Sequence, residues 1–430
     1  MMGTENYVRI AYGTGHLTVN LPAEAEPTII RKPRIKKIPA KKDAILNALA
    51  TPIGIERLAE GAIGKKTACI LICDITRPVP NYLFLRPLIE ELITAGVPKS
   101  GITILVATGL HRPNEGEELR TLVGDGWVLK NIKVENHFAR SDTAHVDLGF
   151  TRGRGVPVKL DRRFVEADLR VATGLVEPHF MAGWSGGRKI VAPGIAHEDT
   201  IRTFHSARFM EDPYATQCNF NANPLHEEQL EIVGMVGKIW ALNTVIDEDR
   251  DLLYVNFGDI VESHMAAVDF VRPAAVIPIG RKFKTILTSA AGYPLDKTYY
   301  QTIKGMVTPM DILEPGGTLI IASACSEGFG SDEFRAAQNR LAANGPSAFL
   351  DMLMAKKLAN IDEWQTEMQL KPMKIGRVCL YTEGLNAEER NATGVHMVEN
   401  PDTAVSDSIH LYRDPAIAVI PEGPYVVPVA

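Results

Sequence analysis

Nowhere in its 430 residues does the chain carry an uninterrupted apolar run of the length a membrane-spanning helix needs. Its N-terminus, MMGTENYVRI, lacks the basic-then-apolar layout of a signal peptide. Only five cysteines occur, at 69, 73, 218, 325 and 379, and none form a C-x-x-C. That odd, scattered set excludes a disulfide framework, and the thiols are expected to stay reduced in a cytoplasm. There is no H-E-x-x-H and no compact acidic loop, so an all-protein zinc or calcium site is not expected. Positive charge is not in excess. A net charge of −6 argues against a general nucleic-acid binder. Neither nucleic acid nor membrane is therefore an expected partner. Two nucleotide fingerprints are also missing. Lys189 follows Arg188 and precedes Ile190, which rules out G-x-x-x-x-G-K-[ST], and no G-x-G-x-x-G follows a strand.

What is present is ordinary for a globular protein: 45% hydrophobic and 23% charged residues. The length is too great for one ordinary core, so two domains are the default. The fold class read from the pattern is α/β, two α/β domains with mostly parallel sheets. The boundary is placed near 272–277, giving residues 1–274 and 275–411. The apolar tail, about 412–430, can return to either domain, including back onto the first.

Three apolar strands in the first half each stop at polar residues. Ala68–Cys73 runs into Asp74, Thr76, Arg77 and Pro78, and Ile102–Ala107 runs into TGLHRP. Leu169–Thr173 runs through Gly174 into LVEPH. Wholly apolar strands suit a parallel sheet covered on both faces. Ligand crevices in such sheets lie at the carboxyl ends of the strands. The third strand leads into VEPHFMAGWSGGRKIVAPGIAHEDTIRTFHSARFM, the stretch around which the chain is organised. It holds His179, the turn around Gly186 and Gly187, Arg188, Lys189, and a helix-like run with His205.

Most of the eleven histidines carry no supporting pattern. A hydrogen-bonded or surface role is the expectation for His16, His137, His145, His226, His264, His396 and His410. His197 reads as a helix-start capping residue. His111 and His179 differ, because both follow glycine-bearing strand ends where loops carry function. His205 reads as part of a helix, on the side of Ile201 and Phe209, and both a core histidine and a ligand fit that spacing. Arg77 and Lys304 are the cationic candidates for an anionic substrate. Lys304 shares a helix face with Gln301, and a solvated face explains that spacing as well.

DITRP, ATGLHRP, EPHFMAGWSGGRKIVAPGI with the later His205, and PLDKTYYQTIKG together resemble the nickel-dependent lactate racemases. The resemblance runs in order through nearly the whole chain. It implies a fold of two α/β domains with the active site between them, and a nickel-pincer nucleotide as cofactor. That cofactor is a pyridinium mononucleotide bearing thioamide or thiocarboxylate groups. By the same resemblance Lys189 holds the cofactor, whether or not covalently, and His205 is the protein ligand of nickel. Asp74, Thr76, Gly186, Gly187 and Arg188 are placed with Lys189 as cofactor contacts. His111 and His179 match the paired acid–base histidines. Arg77, Gln301 and Lys304 match substrate-site residues, with Tyr300 and Trp364 as looser matches.

The implied activity is racemisation or epimerisation of a 2-hydroxy acid by hydride transfer through a 2-keto acid. The implied partners are that small acid and the proteins that build the cofactor. Phe180, Met181 and Trp184 beside the motif tilt the choice toward a small or apolar side chain. Two other readings compete: a non-catalytic binder or carrier of the nucleotide, which would not need both His111 and His179, and a hydrolase using Ser185.

Overall fold

The computed structural model describes residues 6–430. They fall into two compact units. The first comprises Ile35–Phe204 and Pro213–Arg272; the second holds the residues up to Arg34, His205–Asp212 and Pro273–Ala430.

In the first unit, six strands lie in the order Leu252–Asp259, Trp240–Ile246, Leu169–Leu175, Ala68–Cys73, Ile102–Ala107, Lys133–Asn136. All neighbours are parallel except the antiparallel edge pair Trp240–Ile246 and Leu252–Asp259. ACILIC is apolar at every position because helices cover both faces of its strand. Asn81–Thr94, for example, buries Phe84, Leu85, Leu88, Ile89 and Leu92. Each such side chain contributes about 1.5–3 kcal/mol by leaving water. The strand order reverses at Ala68–Cys73, which pairs with Ile102–Ala107 on one side and Leu169–Leu175 on the other. That is the topological switch point, where the loops leaving adjacent strands separate and open a crevice.

The second unit contains a wholly parallel sheet. Its order is His396–Met397, Arg377–Tyr381, Leu313–Ala322, Phe283–Ser289, Ala416–Ile420, Glu26–Ile29. Two expectations are corrected here. The tail does not return to the first unit: Ala416–Ile420 is an inner strand of the second sheet, buried throughout. Residues up to Arg34 also belong to this unit and not to a domain running from 1 to 274. The reason is pairing. Glu26–Ile29 supplies the ladder that Ala416–Ile420 would otherwise leave open, and an open parallel edge is a liability. Asp332–Met354 is two helical runs rather than one continuous rod, broken where Gly345 takes a φ of +77° just before Pro346.

His137, given no special role from sequence, anchors the first unit. Its Nδ1 lies 3.0 Å from Asp161 Oδ2 and its Nε2 lies 3.1 Å from the Ala196 carbonyl. Asp161 also accepts from Arg163 Nη2 at 2.6 Å. Burial alone would raise the Asp161 carboxyl, but Arg163 and His137 hold it well below the usual carboxylate range. Removing one partner strands the others in low dielectric. Asp161→Ala should therefore cost about 3–5 kcal/mol in urea unfolding, and a loss below about 1 kcal/mol would show the network to be idle.

Candidate functional site

On the switch-point rim of the first unit, three loops meet through charged pairs. Asp74, just past Ala68–Cys73, is 5% exposed and accepts from Thr76 Oγ1 at 2.6 Å. Its other oxygen lies 2.6 Å from His111 Nδ1, on the loop after Ile102–Ala107. Burial would raise the Asp74 carboxyl, yet His111, Thr76 and Arg77 together hold it below its ordinary value. Arg77 Nη1 donates to Glu177 Oε1 at 3.0 Å, which ties this loop to the one after Leu169–Leu175. Asp74 and Thr76, expected as cofactor contacts, are thus engaged in orienting His111.

Two residues beyond Glu177, His179 is 8% exposed and sits in a hairpin, Pro178–His179 against Gly183–Trp184. Its Nδ1 accepts from the backbone N–H of Met181 at 3.3 Å and of Ala182 at 3.2 Å. Gly183 has a φ of +78°, and a Cβ there would lie 2.4 Å from the Asn219 carbonyl, so only glycine closes this turn.

The glycine turn follows. Gly183–Gly187 does carry the spacing G-x-S-x-G, but Ser185 is not a nucleophile. Its Oγ is buried between the Leu175 carbonyl at 2.7 Å and the Glu177 N–H at 3.0 Å, a structural brace. Gly187, at φ +50°, lies against His264, whose ring a Cβ would approach to 2.5 Å. His264 Nε2 in turn bonds the Ser185 carbonyl at 2.7 Å. Burial, then the nearby Arg188, push His264 down to about 3, so it is neutral at ordinary pH.

Arg188 is the least ordinary residue of the turn. It is 1% exposed, donates to the Ala182 carbonyl at 2.9 Å, and lies 4.7 Å over the Phe220 ring. Its Nε has no hydrogen-bond partner, and no carboxylate pairs with it among the described residues. Burial pulls its pKa down to about 9, which still leaves it a cation at neutral pH. A buried cation without a counter-charge is costly and suits an anionic ligand. Lys189 follows it in the short turn Gly187–Ile190, half-buried.

The remaining candidates belong to the second unit. His205 does not lie within a helix, contrary to its spacing. Glu198–Phe204 ends before it and Ala207–Met210 begins after it. Its ring is 7% exposed and packs 4.9 Å from Trp364 at a tilt of 43°. Every residue of Tyr299–Val307 is buried except Tyr300, Gln301 and Lys304, so these three form that helix's accessible face. The Tyr300 carbonyl accepts from Gln365 Nε2 at 2.6 Å. No three metal-ligating side chains cluster anywhere among the described residues, and all five cysteines are free. No helix among the described residues is long and apolar enough to cross a membrane.

Glu177, Asn223 and His264 were not singled out from sequence. Glu177 was visible beside His179 in VEPH; the other two carried no local signal.

A histidine held by a carboxylate, a second histidine and an arginine gather on the switch-point rim of this α/β sheet, where such folds bind their ligands. The chain belongs to the lactate racemase family and is an isomerase, a racemase. Residues 12–217 match the lactate racemase N-terminal domain and 281–428 the lactate racemase C-terminal domain. It is 30% identical over 426 residues to the lactate racemase of Thermoanaerobacterium thermosaccharolyticum, covering 98% of each chain. It is also 30% identical over 387 residues to that of Lactiplantibacillus plantarum, covering 89% of this chain and 90% of the other. The structure of the T. thermosaccharolyticum apoprotein superposes with a TM-score of 0.91 at 29% identity, covering 99% of this chain and all of the other. A crystal structure from Thermotoga maritima, with a TM-score of 0.68 at 18% identity, shares the fold alone.

Proposed function

We propose that the chain interconverts the enantiomers of a small 2-hydroxy acid, with lactate the first candidate, using a nickel-pincer nucleotide. The observation that carries this reading is the Asp74–His111 pair set beside Arg77 on the switch-point rim. The Cα–H of such an acid is very hard to remove as a proton, because the adjacent carboxylate is already negative. Removal with its electron pair is easier once the hydroxyl gives up its proton, but no protein side chain accepts a hydride. When bound, the pyridinium-derived group would supply that acceptor.

The residues fit such a group. Arg188 is a buried cation lacking a carboxylate, which suits the nucleotide's phosphate, and Lys189 beside it is the proposed anchor. Gly186 and Gly187 keep the turn free of side chains. His205 is a solitary ligand candidate, which makes sense only where the remaining donors come from the group itself. Around the substrate, His111 and His179 handle the hydroxyl group and its proton. Arg77, Gln301 and Lys304 are assigned to the carboxylate, with Tyr300 and Trp364 as walls. Arg77 does this while sharing its charge with Glu177.

The test is chiral analysis of a panel of 2-hydroxy acids incubated with cofactor-loaded protein. Cα-deuterated lactate in ordinary water should racemise with most of its label kept and with a primary isotope effect. Deuterium lost in step with racemisation would exclude hydride transfer, because protons on histidine exchange with solvent. Retained cofactor without any racemisation would make the chain a carrier.

A further inference from the structure

Glu363–Ile375 is an odd helix for a protein interior. Nine of its residues are buried, and five of those are polar: Glu363, Gln365, Thr366, Glu367 and Gln369. A helix buried all round is ordinarily apolar, and a polar side chain taken out of water is costly unless it is bonded. Two of the five, Gln365 and Gln369, are bonded to the start of the helix that carries Tyr300, Gln301 and Lys304. Another face of the same helix meets the segment that carries His205. All three stretches lie in the second unit.

Gln365 and Gln369 sit one turn apart on one face and take successive residues of Tyr299–Val307. Gln365 Nε2 donates to the Tyr300 carbonyl at 2.6 Å. Gln369 Oε1 accepts from the Tyr299 hydroxyl at 2.7 Å, while its Nε2 donates to the Thr393 carbonyl at 2.7 Å. Burial pushes the Tyr299 phenol well above its ordinary pKa, so it keeps the hydrogen it donates. The N–H groups of the same two tyrosines go elsewhere, to the Gly328 and Phe329 carbonyls at 3.0 and 3.1 Å. The first turn of this helix therefore cannot rotate without leaving buried polar groups unpaired. At 3.6 residues per turn, Trp364, Lys371 and Lys374 fall roughly opposite the two glutamines. Trp364 packs on the His205 ring. Lys371 Nζ donates to the Met210 carbonyl at 2.6 Å, and Lys374 Nζ to Glu211 Oε2 at 2.8 Å.

Resting on the reading above, in which Gln301 and Lys304 hold the substrate carboxylate and His205 the nickel, we propose that Glu363–Ile375 is the strut that sets substrate and metal in register. Gln365 and Gln369 are its positioning residues. Both side chains are buried and act through the helix they hold. The chemistry needs such a strut because a misplacement of about 1 Å can cost roughly a hundredfold in rate. Glutamines suit the task. Each amide both donates and accepts, and neither titrates, so the register they set does not drift with pH.

The test reads kcat and KM by chiral analysis in the full-length, cofactor-loaded chain. Gln365→Met keeps the volume but has no donor. A carboxylate held alike in ground and transition state loses uniform binding, so KM should rise about ten- to a hundredfold while kcat changes by less than about threefold. Gln369→Met should act in the same direction. Wild-type KM in both variants would make the amides packing residues and overturn the proposal. Nickel content should stay at the wild-type level, and nickel lost from a folded Gln365→Met chain overturns the division of faces. Gln365→Glu separates the bond from mere filling of space. Its carboxylate meets the Tyr300 carbonyl acceptor to acceptor, and its protonated form donates again. The variant's KM relative to wild type should fall toward one as pH drops from about 9 to about 5, since burial raises a carboxyl pKa. A ratio raised equally at every pH overturns the role of the bond. Hydrogen exchange in the cofactor-free chain gives a reading independent of activity. Amides of Tyr299–Val307 should exchange about tenfold faster in Gln365→Met, as loss of one buried hydrogen bond implies, and unmoved exchange overturns the proposal. Loaded wild type that racemises nothing would instead sink the proposed function, and the strut's role with it, whatever the exchange shows.

Discussion

His111→Ala should lower the racemisation rate by roughly two to four orders of magnitude, the usual worth of a positioned general base. The expectation follows from the Asp74 contact, which orients the ring through Nδ1 at 2.6 Å. Asp74→Asn should lose part of that rate without loss of the ring, because an amide no longer selects the Nδ1 hydrogen. It also has a signature in stability. The folded Asp74 carboxyl lies below its ordinary value, so it contributes stability that is fully present above the unfolded value of about 4. That contribution disappears as pH falls through the lowered folded value. Wild type should therefore lose stability more steeply than Asp74→Asn below about pH 4, as read by thermal melts across acid pH. Parallel curves, or a His111→Ala enzyme with near-normal rate, would remove the pair from the chemistry.

His205→Ala should abolish nickel retention while leaving the fold intact. No cluster of three ligating side chains exists among the described residues to take over, so loss of one imidazole leaves the protein without a donor. The ring's packing on Trp364 is a modest contribution, and its removal should cost about 1–3 kcal/mol, well short of unfolding the chain. Elemental analysis after gel filtration reads the first quantity and urea unfolding the second. Nickel content equal to wild type would take His205 out of the ligand role. Loss of nickel together with collapse of the fold would make its part structural.

The parts of this protein legible in the sequence are those specified over a few residues. ACILIC and ITILVA announce strands of a doubly covered sheet because burial on both faces demands apolar residues at every position. The polar residues that follow announce the rim, and the glycines mark turns that a side chain would block. The family resemblance rested on the same local runs. What tertiary structure alone decided is pairing. Glu26–Ile29 is too short and too mixed to name its partner, and only the ladder with Ala416–Ile420 assigns both strands to the second unit. The helical spacing through His205 was real, but the helix stops at Phe204. Asp74 finds His111 across 37 residues, and Arg77 finds Glu177 across 100, because parallel strands bring distant loops to one edge. Buried charge and the orientation of the rim histidines follow from those meetings: the contacts at Nδ1 of His111 and of His179 come from Asp74 and from the Met181 and Ala182 N–H groups, set in place by packing.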